Sequence, residues 1–216
     1  MKHSMIRLAG LLLTLASLCA HSATISGGGG YGYGDRSGLQ TAPLFTALQN
    51  ARTVRGHFTQ TRTLPNMSAP LSSDGQFVLS RERGLLWQQL HPFTTRLVFS
   101  DQRIIQQVDN KAPQILTPEQ HPTPFYFALL FRALLSGEWG NLQRDFQVSR
   151  SNEGLLLRPI DRRVGNAIKE VRIDGHEQLT RLTIIERKGG SVEIRFSDIL
   201  GDNSALTREE QVLYRP

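Results

Sequence analysis

Cysteine is nearly absent from this chain of 216 residues, in which Cys19 is the only one. A single thiol excludes an internal disulfide and a zinc site built on several thiolates. Catalytic motifs are absent as well: the sequence contains neither His-Glu-x-x-His nor Gly-x-Ser-x-Gly, and its histidines lie apart in different predicted elements. Most aspartates fall at predicted turns, where Asx turns account for them. We therefore expect no catalytic residue, no metal and no cofactor, and predict that the protein is not an enzyme.

Apolar runs long enough to span a membrane are also missing. The first run, Leu8–Leu18, follows the basic residues Lys2 and Arg7 and precedes the small-residue pattern of residues 20–22. This order is typical of a secretory signal peptide, and a helix of this length would rise only about 16 Å, roughly half of a bilayer's hydrocarbon thickness. We predict that residues 1–22 are removed after export and that the mature protein is periplasmic.

Charge of one sign is not concentrated anywhere in the sequence. The net charge of +6 falls to +4 without Lys2 and Arg7, and the remaining basic residues are scattered. Scattered charge in an exported protein does not favour nucleic acid, so we expect no nucleic-acid partner. We also expect a monomer. Residues 23–38 are so rich in glycine that we predict a flexible leader, followed by a single domain of residues 39–216.

From Val54 onward the apolar residues recur with a period of two, which indicates strands. Turn residues such as Asp74-Gly75 and Gly84 separate these strands at short intervals, as in an antiparallel meander. The sequence therefore predicts a mainly β protein with an α lid (α+β), built on one curved sheet. The predicted strands are Val54–Arg62, Gln76–Arg83, Leu85–Leu90, Thr95–Ser100, Arg103–Val108, Phe146–Arg150, Leu155–Pro159, Ala167–Ile173, Leu179–Arg187 and Ser191–Phe196.

Two helices are predicted among the strands. Thr41 and Pro43 begin the first helix, whose apolar stripe ends at Ala51. The second, Phe125–Leu135, begins after Pro124 and is apolar on almost every side. Because it is too short to span a membrane, this helix either lies in the protein core or contacts an apolar ligand. The sequence leaves both interpretations open.

Both faces of the central strands are predicted to be apolar, since Leu85–Trp87 and Leu97–Phe99 are uninterrupted apolar runs. One face of an antiparallel sheet is normally solvated, so either a helix covers the second face or the concave side encloses a cavity. We predict an apolar cavity between the sheet and the lid. Its candidate ligand-binding residues are Phe77, Leu79, Trp87, Leu97 and Phe99 on the sheet and Phe125, Phe127, Leu130, Phe131 and Leu134 on the lid.

A set of short motifs occurs in a particular order along the chain. They are Phe58-Thr59-Gln60, Gly75-Gln76-Phe77, Arg81 followed by Trp87, His91-Pro92, Leu97–Asp101, Thr123-Pro124-Phe125 and Leu157-Arg158-Pro159. Together, across Leu44–Phe196, they resemble the LolA-like outer-membrane lipoprotein carriers. The resemblance implies an unclosed antiparallel β-barrel covered by helices, with an apolar cavity for lipoprotein acyl chains. It also implies an inner-membrane transporter that delivers the cargo and an outer-membrane acceptor that receives it.

The same resemblance assigns a role to Arg81, because an arginine between that glycine and that tryptophan ties the lid shut in the family. Arg83 is a rival for this latch, since Glu82-Arg83-Gly84 occupies the stretch where the family usually has proline. The glycine-rich leader and Arg162-Arg163 are further departures. They indicate a specialised relative, whose cargo is a lipoprotein or another lipid such as a glycolipid or a polyene.

We therefore hypothesise a carrier that shuttles acyl chains from the inner to the outer membrane. Two alternatives stay open: a signalling or assembly module with the same fold that binds a protein, and a lipid-modifying hydrolase. A lipid that co-purifies would favour the carrier, a bound protein would favour the module, and turnover of added lipid would favour the hydrolase.

Overall fold

The computed structural model describes residues 50–100, 103–117, 130, 131, 133, 142–175 and 178–215. The predicted signal peptide, the leader and the first helix as far as Gln49 lie outside these residues, and so do three of the predicted lid residues, Phe125, Phe127 and Leu134. In the part of the chain that is described, no helix is both long enough and apolar enough to cross a membrane.

Eleven strands make up most of the described chain. They are β1 (Thr53–Thr63), β2 (Leu71–Ser80), β3 (Gly84–His91), β4 (Thr95–Phe99), β5 (Ile104–Val108), β6 (Gln114–Leu116), β7 (Phe146–Ser151), β8 (Gly154–Pro159), β9 (Ile168–Asp174), β10 (Arg181–Glu186) and β11 (Ser191–Asp202). Three short helices are α1 (Leu142–Asp145), α2 (Arg162–Ala167) and α3 (Arg208–Leu213). Leu130, Phe131 and Ala133 are also helical, within the predicted lid.

The strands form a single antiparallel sheet in the order β6-β5-β4-β3-β2-β1-β11-β10-β9-β8-β7. β1 lies at the centre, because it pairs with its neighbour β2 on one side and with the distant β11 on the other. The edge strands β6 and β7 do not pair with each other. The predicted unclosed antiparallel sheet is therefore confirmed.

Strand alternation sorts the apolar side chains onto two faces. On the inner face, residues from β1 to β11 share one buried cluster with Leu130, Phe131 and Ala133. On the outer face, Val78 and Leu86 belong to a second, smaller cluster. The apolar runs of β3 and β4 are thus divided between two cores, since successive side chains of a strand point to opposite faces.

The C-terminal helix α3 covers this outer cluster. Leu206, Leu213 and the buried Tyr214 pack against Val78 and Leu86, and the Tyr214 hydroxyl lies 2.8 Å from the carbonyl oxygen of Val78. A helix therefore covers the outer apolar face. This is one of the two arrangements that the sequence left open for a sheet that is apolar on both faces. Helix α3 is not one of the two predicted helices, because its six residues are mostly polar and show no apolar period.

The segment Asp74-Gly75 corrects one prediction. It was expected to be a turn, but it lies inside β2, which runs from Leu71 to Ser80 rather than from Gln76 to Arg83. A Cβ atom at Gly75 would come within 1.9 Å of the Gln88 carbonyl oxygen, so glycine is needed here for close strand contact.

The edges of the predicted strands differ in other places too. β11 continues to Asp202 instead of ending at Phe196, and Ala167 belongs to α2 instead of opening a strand. The short strand β6 and helices α1 and α2 were not predicted, since elements of three to six residues are too short to show a period.

Candidate functional site

The inner face of the sheet collects the predicted ligand-contacting residues that the structure describes. These residues share one buried cluster, each at most 7% exposed: Phe77, Leu79, Trp87, Leu97, Phe99, Leu130 and Phe131. Three strands and one helical segment thus converge on a common apolar interior. That these side chains contact a ligand stays a prediction.

Five rings form an aromatic centre in this interior: Phe58, Phe77, Trp87, Phe131 and Phe196. Phe58 on β1 and Trp87 on β3 stack with ring centroids 3.7 Å apart, although β2 lies between their strands. Gly75 of β2 pairs with Phe58, and a Cβ atom at this glycine would meet the backbone of Gln88 on β3. The stack thus joins residues of two family-like motifs.

A second glycine makes room for Phe77. A Cβ atom at Gly56 would lie 2.8 Å from two carbon atoms of the Phe77 ring, closer than van der Waals contact allows. Phe77 therefore rests directly on the backbone of β1 and reaches Phe196 on β11, with ring centroids 5.9 Å apart. Side chains from β2 and β11 meet because the sheet is concave on this side.

Phe131 joins the helical segment to the aromatic centre. Its ring packs edge-on against Trp87 at 5.2 Å, Phe196 at 5.5 Å and Phe77 at 6.2 Å, and the side chain is fully buried. Each such aromatic pair contributes about 0.5–1.5 kcal/mol beyond its buried area. One side chain therefore holds the helical segment against three strands.

Polar side chains occupy one end of the same inner face. They continue the inward alternation of the apolar residues and are at most 6% exposed; we refer to Gln60, Arg62, Ser73, Gln89, Thr95 and Gln106 as the polar inner band. Strand pairing places Gln60 opposite Ser73, and Gln89 opposite Thr95. The opposite end of the face is apolar, with Val54 paired to Leu79. From β1 to β5 the inner face is therefore amphipathic along the strands, whereas on β11 the partners of Arg62 and Gln60 are the buried apolar residues Val192 and Ile194.

Arg62 is the charged member of the polar inner band. Its side chain is 3% exposed, and its Nη2 donates a hydrogen bond to Glu186 Oε1 at 2.8 Å. Its Nε and Nη1 atoms have no partner among the described residues. Ser73 Oγ, Gln89 Oε1 and Gln106 Oε1 also lack a hydrogen-bond partner among the described residues. Leaving a buried polar group unpaired costs about 1–3 kcal/mol, so this end of the cluster has unused capacity for hydrogen bonds.

The polar inner band was not predicted, although its pattern is present in the sequence. The predicted period of two along β1 puts Gln60 and Arg62 on the same face as Phe58. The sequence prediction for Arg62 was only that it is one of the scattered basic residues.

The family can be assigned from the sequence that builds this inner face. Residues 49–209 match the family described as outer membrane lipoprotein carrier protein LolA. The chain belongs to the LolA family. No curated protein sequence matches it.

Several solved structures resemble this LolA-family chain at low identity. A LolA superfamily protein from Nitrosomonas europaea has 14% identity and a TM-score of 0.44, over 77% of this chain and 94% of the other. A domain described as outer membrane lipoprotein-sorting, from Vibrio parahaemolyticus, has 10% identity and a TM-score of 0.44, over 79% and 95%. A chain of the Pseudomonas aeruginosa MucA/MucB complex has 12% identity and a TM-score of 0.41, over 78% and 57%.

The two candidate latch arginines of this LolA-family chain lie in the turn between β2 and β3. Arg81 Nε donates to the carbonyl oxygen of Ala51 at 2.7 Å, and its backbone N–H bonds to Arg52. Arg83 is exposed and makes no side-chain hydrogen bond with the described residues. Arg81 thus binds the backbone at the predicted end of the first helix. Whether either arginine latches a lid stays a prediction.

Helix α3 is held to the outer face by charged groups. Glu210 accepts two hydrogen bonds from Arg55, at 2.6 and 2.9 Å, and its carboxylate also accepts from the backbone N–H of Thr207. The bonds from Arg55 are the main reason that the pKa of Glu210 lies below its ordinary value, and the same bonds raise the pKa of Arg55. Desolvation opposes both shifts.

Proposed function

We propose that this LolA-family protein is a periplasmic carrier without enzymatic activity, which shelters acyl chains of lipoproteins or another lipid and moves them from the inner to the outer membrane. The observation that carries the proposal is the position of Phe131. A single helical side chain fills the centre of a concave apolar face, so that removing it would expose a space lined by aromatic rings.

Loading replaces the contacts of the helical segment with contacts of an acyl chain. Burial of one methylene group contributes about 0.8 kcal/mol, so a chain of about fourteen carbons would gain on the order of 10 kcal/mol. The loss of the Phe131 contacts is a smaller term, since burial of a phenylalanine side chain contributes about 1.5–3 kcal/mol and each ring pair adds about 0.5–1.5 kcal/mol. An acyl chain can therefore displace Phe131 with a net gain in free energy. When the helical segment returns to the inner face, its contacts replace those of the acyl chain and favour release.

The family description supports the proposed route between membranes. Its description names an outer membrane lipoprotein carrier, a role that requires a donor at the inner membrane and an acceptor at the outer membrane. The predicted signal peptide supports export, and the turn that carries Arg81 is the proposed latch because Arg81 already binds the carbonyl of Ala51.

Native mass spectrometry of the protein purified from its own envelope tests the proposal. We expect a lipid bound at one per protein. Phe131→Ala should increase the amount retained, because an acyl chain no longer competes with the ring, while Phe93→Ala is the matched control. Phe93 is 38% exposed and lies outside the inner cluster.

Other results would favour the alternatives. A protein partner on an empty sheet would identify a signalling or assembly module, and conversion of added lipid to product would identify a hydrolase. Equal lipid content in wild type, Phe131→Ala and Phe93→Ala would contradict the assignment of Phe131.

A further inference from the structure

The polar inner band has hydrogen-bonding groups that the protein itself leaves unused. They are the Nε and Nη1 donors of Arg62, the hydroxyl of Ser73 and the side-chain carbonyl oxygens of Gln89 and Gln106. All four side chains are at least 95% buried. Buried polar groups in proteins nearly always have partners, so this combination indicates a bound polar group.

Strand pairing brings three of these residues together. Ser73 pairs with Gln60, which lies two residues before Arg62 on the same face of β1. Gln89 pairs with Gly75, two residues after Ser73 on β2. Ser73 is therefore the diagonal neighbour of Arg62, at about 7–8 Å between Cα atoms, and Gln89 lies on the neighbouring strand across a register shift between Asp74 and Gly75. Side chains at this spacing can bond to one small group placed between them.

We propose that the polar inner band binds the anionic head group of an amphiphile, a phosphate ester or a carboxylate, whose acyl chain lies along the apolar end of the inner face. This inference rests on the proposed carrier function, because the band is buried and is reached only when the inner face opens. It adds to that function the chemical class of the cargo and its orientation.

The chemistry of Arg62 favours an anion with several oxygens. Glu186 already balances the charge of the guanidinium, so a head group would be recognised through the remaining N–H donors. Nε and Nη1 lie on different edges of the guanidinium, and satisfying both takes at least two acceptor oxygens. Hydrogen bonds that involve an ionised group are about twice as strong as bonds between neutral groups, and arginine bonds phosphate and carboxylate groups through two parallel N–H donors. Hydroxyl groups of the ligand could donate to the carbonyl oxygens of Gln89 and Gln106.

The length of the inner face fits such a ligand. From Val54 to Arg62 the strand rises about 26 Å at 3.3 Å per residue. One lipid leaflet has a hydrocarbon depth of about 15 Å, half of a bilayer core. The face is therefore long enough for one acyl chain and a head group in line.

Binding of four probes to the delipidated protein, measured by calorimetry, tests this inference. Myristoyl lysophosphatidylglycerol and myristate carry the two kinds of anion, monomyristoylglycerol is neutral, and glycerol 3-phosphate has no chain. We expect at least one of the two anionic lipids to bind at least ten times more tightly than the neutral one. Whichever of these two lipids binds more tightly shows whether the band prefers a phosphate ester or a carboxylate.

Two variants and a matched control connect this preference to the polar inner band. In Arg62→Met/Glu186→Met both members of the buried ion pair become apolar, a change that proteins often tolerate. We expect the preference to disappear while the neutral lipid binds as before. Arg62→Lys keeps a charge beside Glu186 but lacks the guanidinium edges, and should lose most of the preference. The control Arg195→Met/Glu193→Met removes an exposed ion pair of β11 and should change nothing.

The outcomes separate this inference from the carrier proposal. If wild type binds anionic and neutral lipids equally, or if Arg62→Lys and the double variant retain the preference, the head-group site is wrong and the carrier stands. If glycerol 3-phosphate binds as tightly as the lipids, the site serves a small soluble phosphate and the amphiphile is wrong. If no lipid binds, both proposals are wrong.

Discussion

The two apolar faces of the sheet are covered in different ways. On the outer face, α3 is fastened by directional polar bonds: the Arg55–Glu210 pair, the cap at Thr207 and the hydroxyl of Tyr214. On the inner face, the described residues of the helical segment, Leu130, Phe131 and Ala133, belong to the apolar cluster, and Phe131 packs against three other rings. Directional bonds are lost when a helix moves, whereas ring contacts can be replaced by any apolar group. The described contacts of the outer cover are therefore largely directional, and those of Phe131 are of a kind that another apolar group can replace.

The largest effect should follow from removing a ring of the aromatic centre. We expect Phe58→Ala to lower the free energy of unfolding by about 3–5 kcal/mol, because it deletes a fully buried ring that stacks on Trp87. Urea denaturation measures the change, and the exposed Phe93→Ala should stay within about 0.5 kcal/mol. Equal losses in both variants would mean that the inner face does not depend on this stack.

A smaller effect on stability is expected when the ion pair that holds α3 to the outer face is removed, and this effect should depend on pH. The folded pKa of Glu210 lies below 4.5 because Arg55 stabilises the carboxylate. This stabilisation is fully present above pH 4.5 and is lost as the pH falls through the lowered pKa. Glu210→Gln should therefore cost about 1 kcal/mol near neutral pH and progressively less in acid.

Urea denaturation of wild type and Glu210→Gln at several pH values tests this expectation. Glu209→Gln is the control, because Glu209 is the adjacent residue of α3 and is exposed. A difference between wild type and Glu210→Gln that is the same at every pH would show that the ion pair does not hold α3.

The smallest effect on stability is expected for the proposed latch. Arg81 is exposed, so Arg81→Leu should change the free energy of unfolding by less than about 1 kcal/mol. Its loss frees the carbonyl of Ala51 and should speed the transfer of a fluorescent lipid to acceptor vesicles several-fold. Arg83→Leu is the matched variant. If Arg83→Leu speeds the transfer and Arg81→Leu does not, the latch is Arg83.

The sequence predicted the inner face better than it predicted its surroundings. Alternation along β2 placed Phe77 and Leu79 on one face, because a period of two is a local property of the chain. The apolar runs Leu85–Trp87 and Leu97–Phe99 did not show which of their residues point inward. The role of Gly75 was missed, since a glycine after an aspartate usually marks a turn. The close approach of the Gln88 carbonyl on β3, a contact with the paired strand, shows why glycine is required there.

The outer cover could not be predicted for a different reason. Helix α3 is short and polar, and its docking depends on Arg55, which lies about 155 residues earlier. A capping box at Thr207 and Glu210 was visible in the sequence, but its apolar partners Val78 and Leu86 lie on a remote hairpin. Long-range contacts of this kind leave no periodic signal.

The central position of β1 has a consequence for how the chain folds after it is made. Thr53 pairs with Ser80 on one side and with Asp202, nearly 150 residues later, on the other. Pairing over such distances is slow. β1 is therefore expected to pair first with β2 and to wait for β11, so that the seam at the centre of the sheet closes after the hairpins of neighbouring strands have formed.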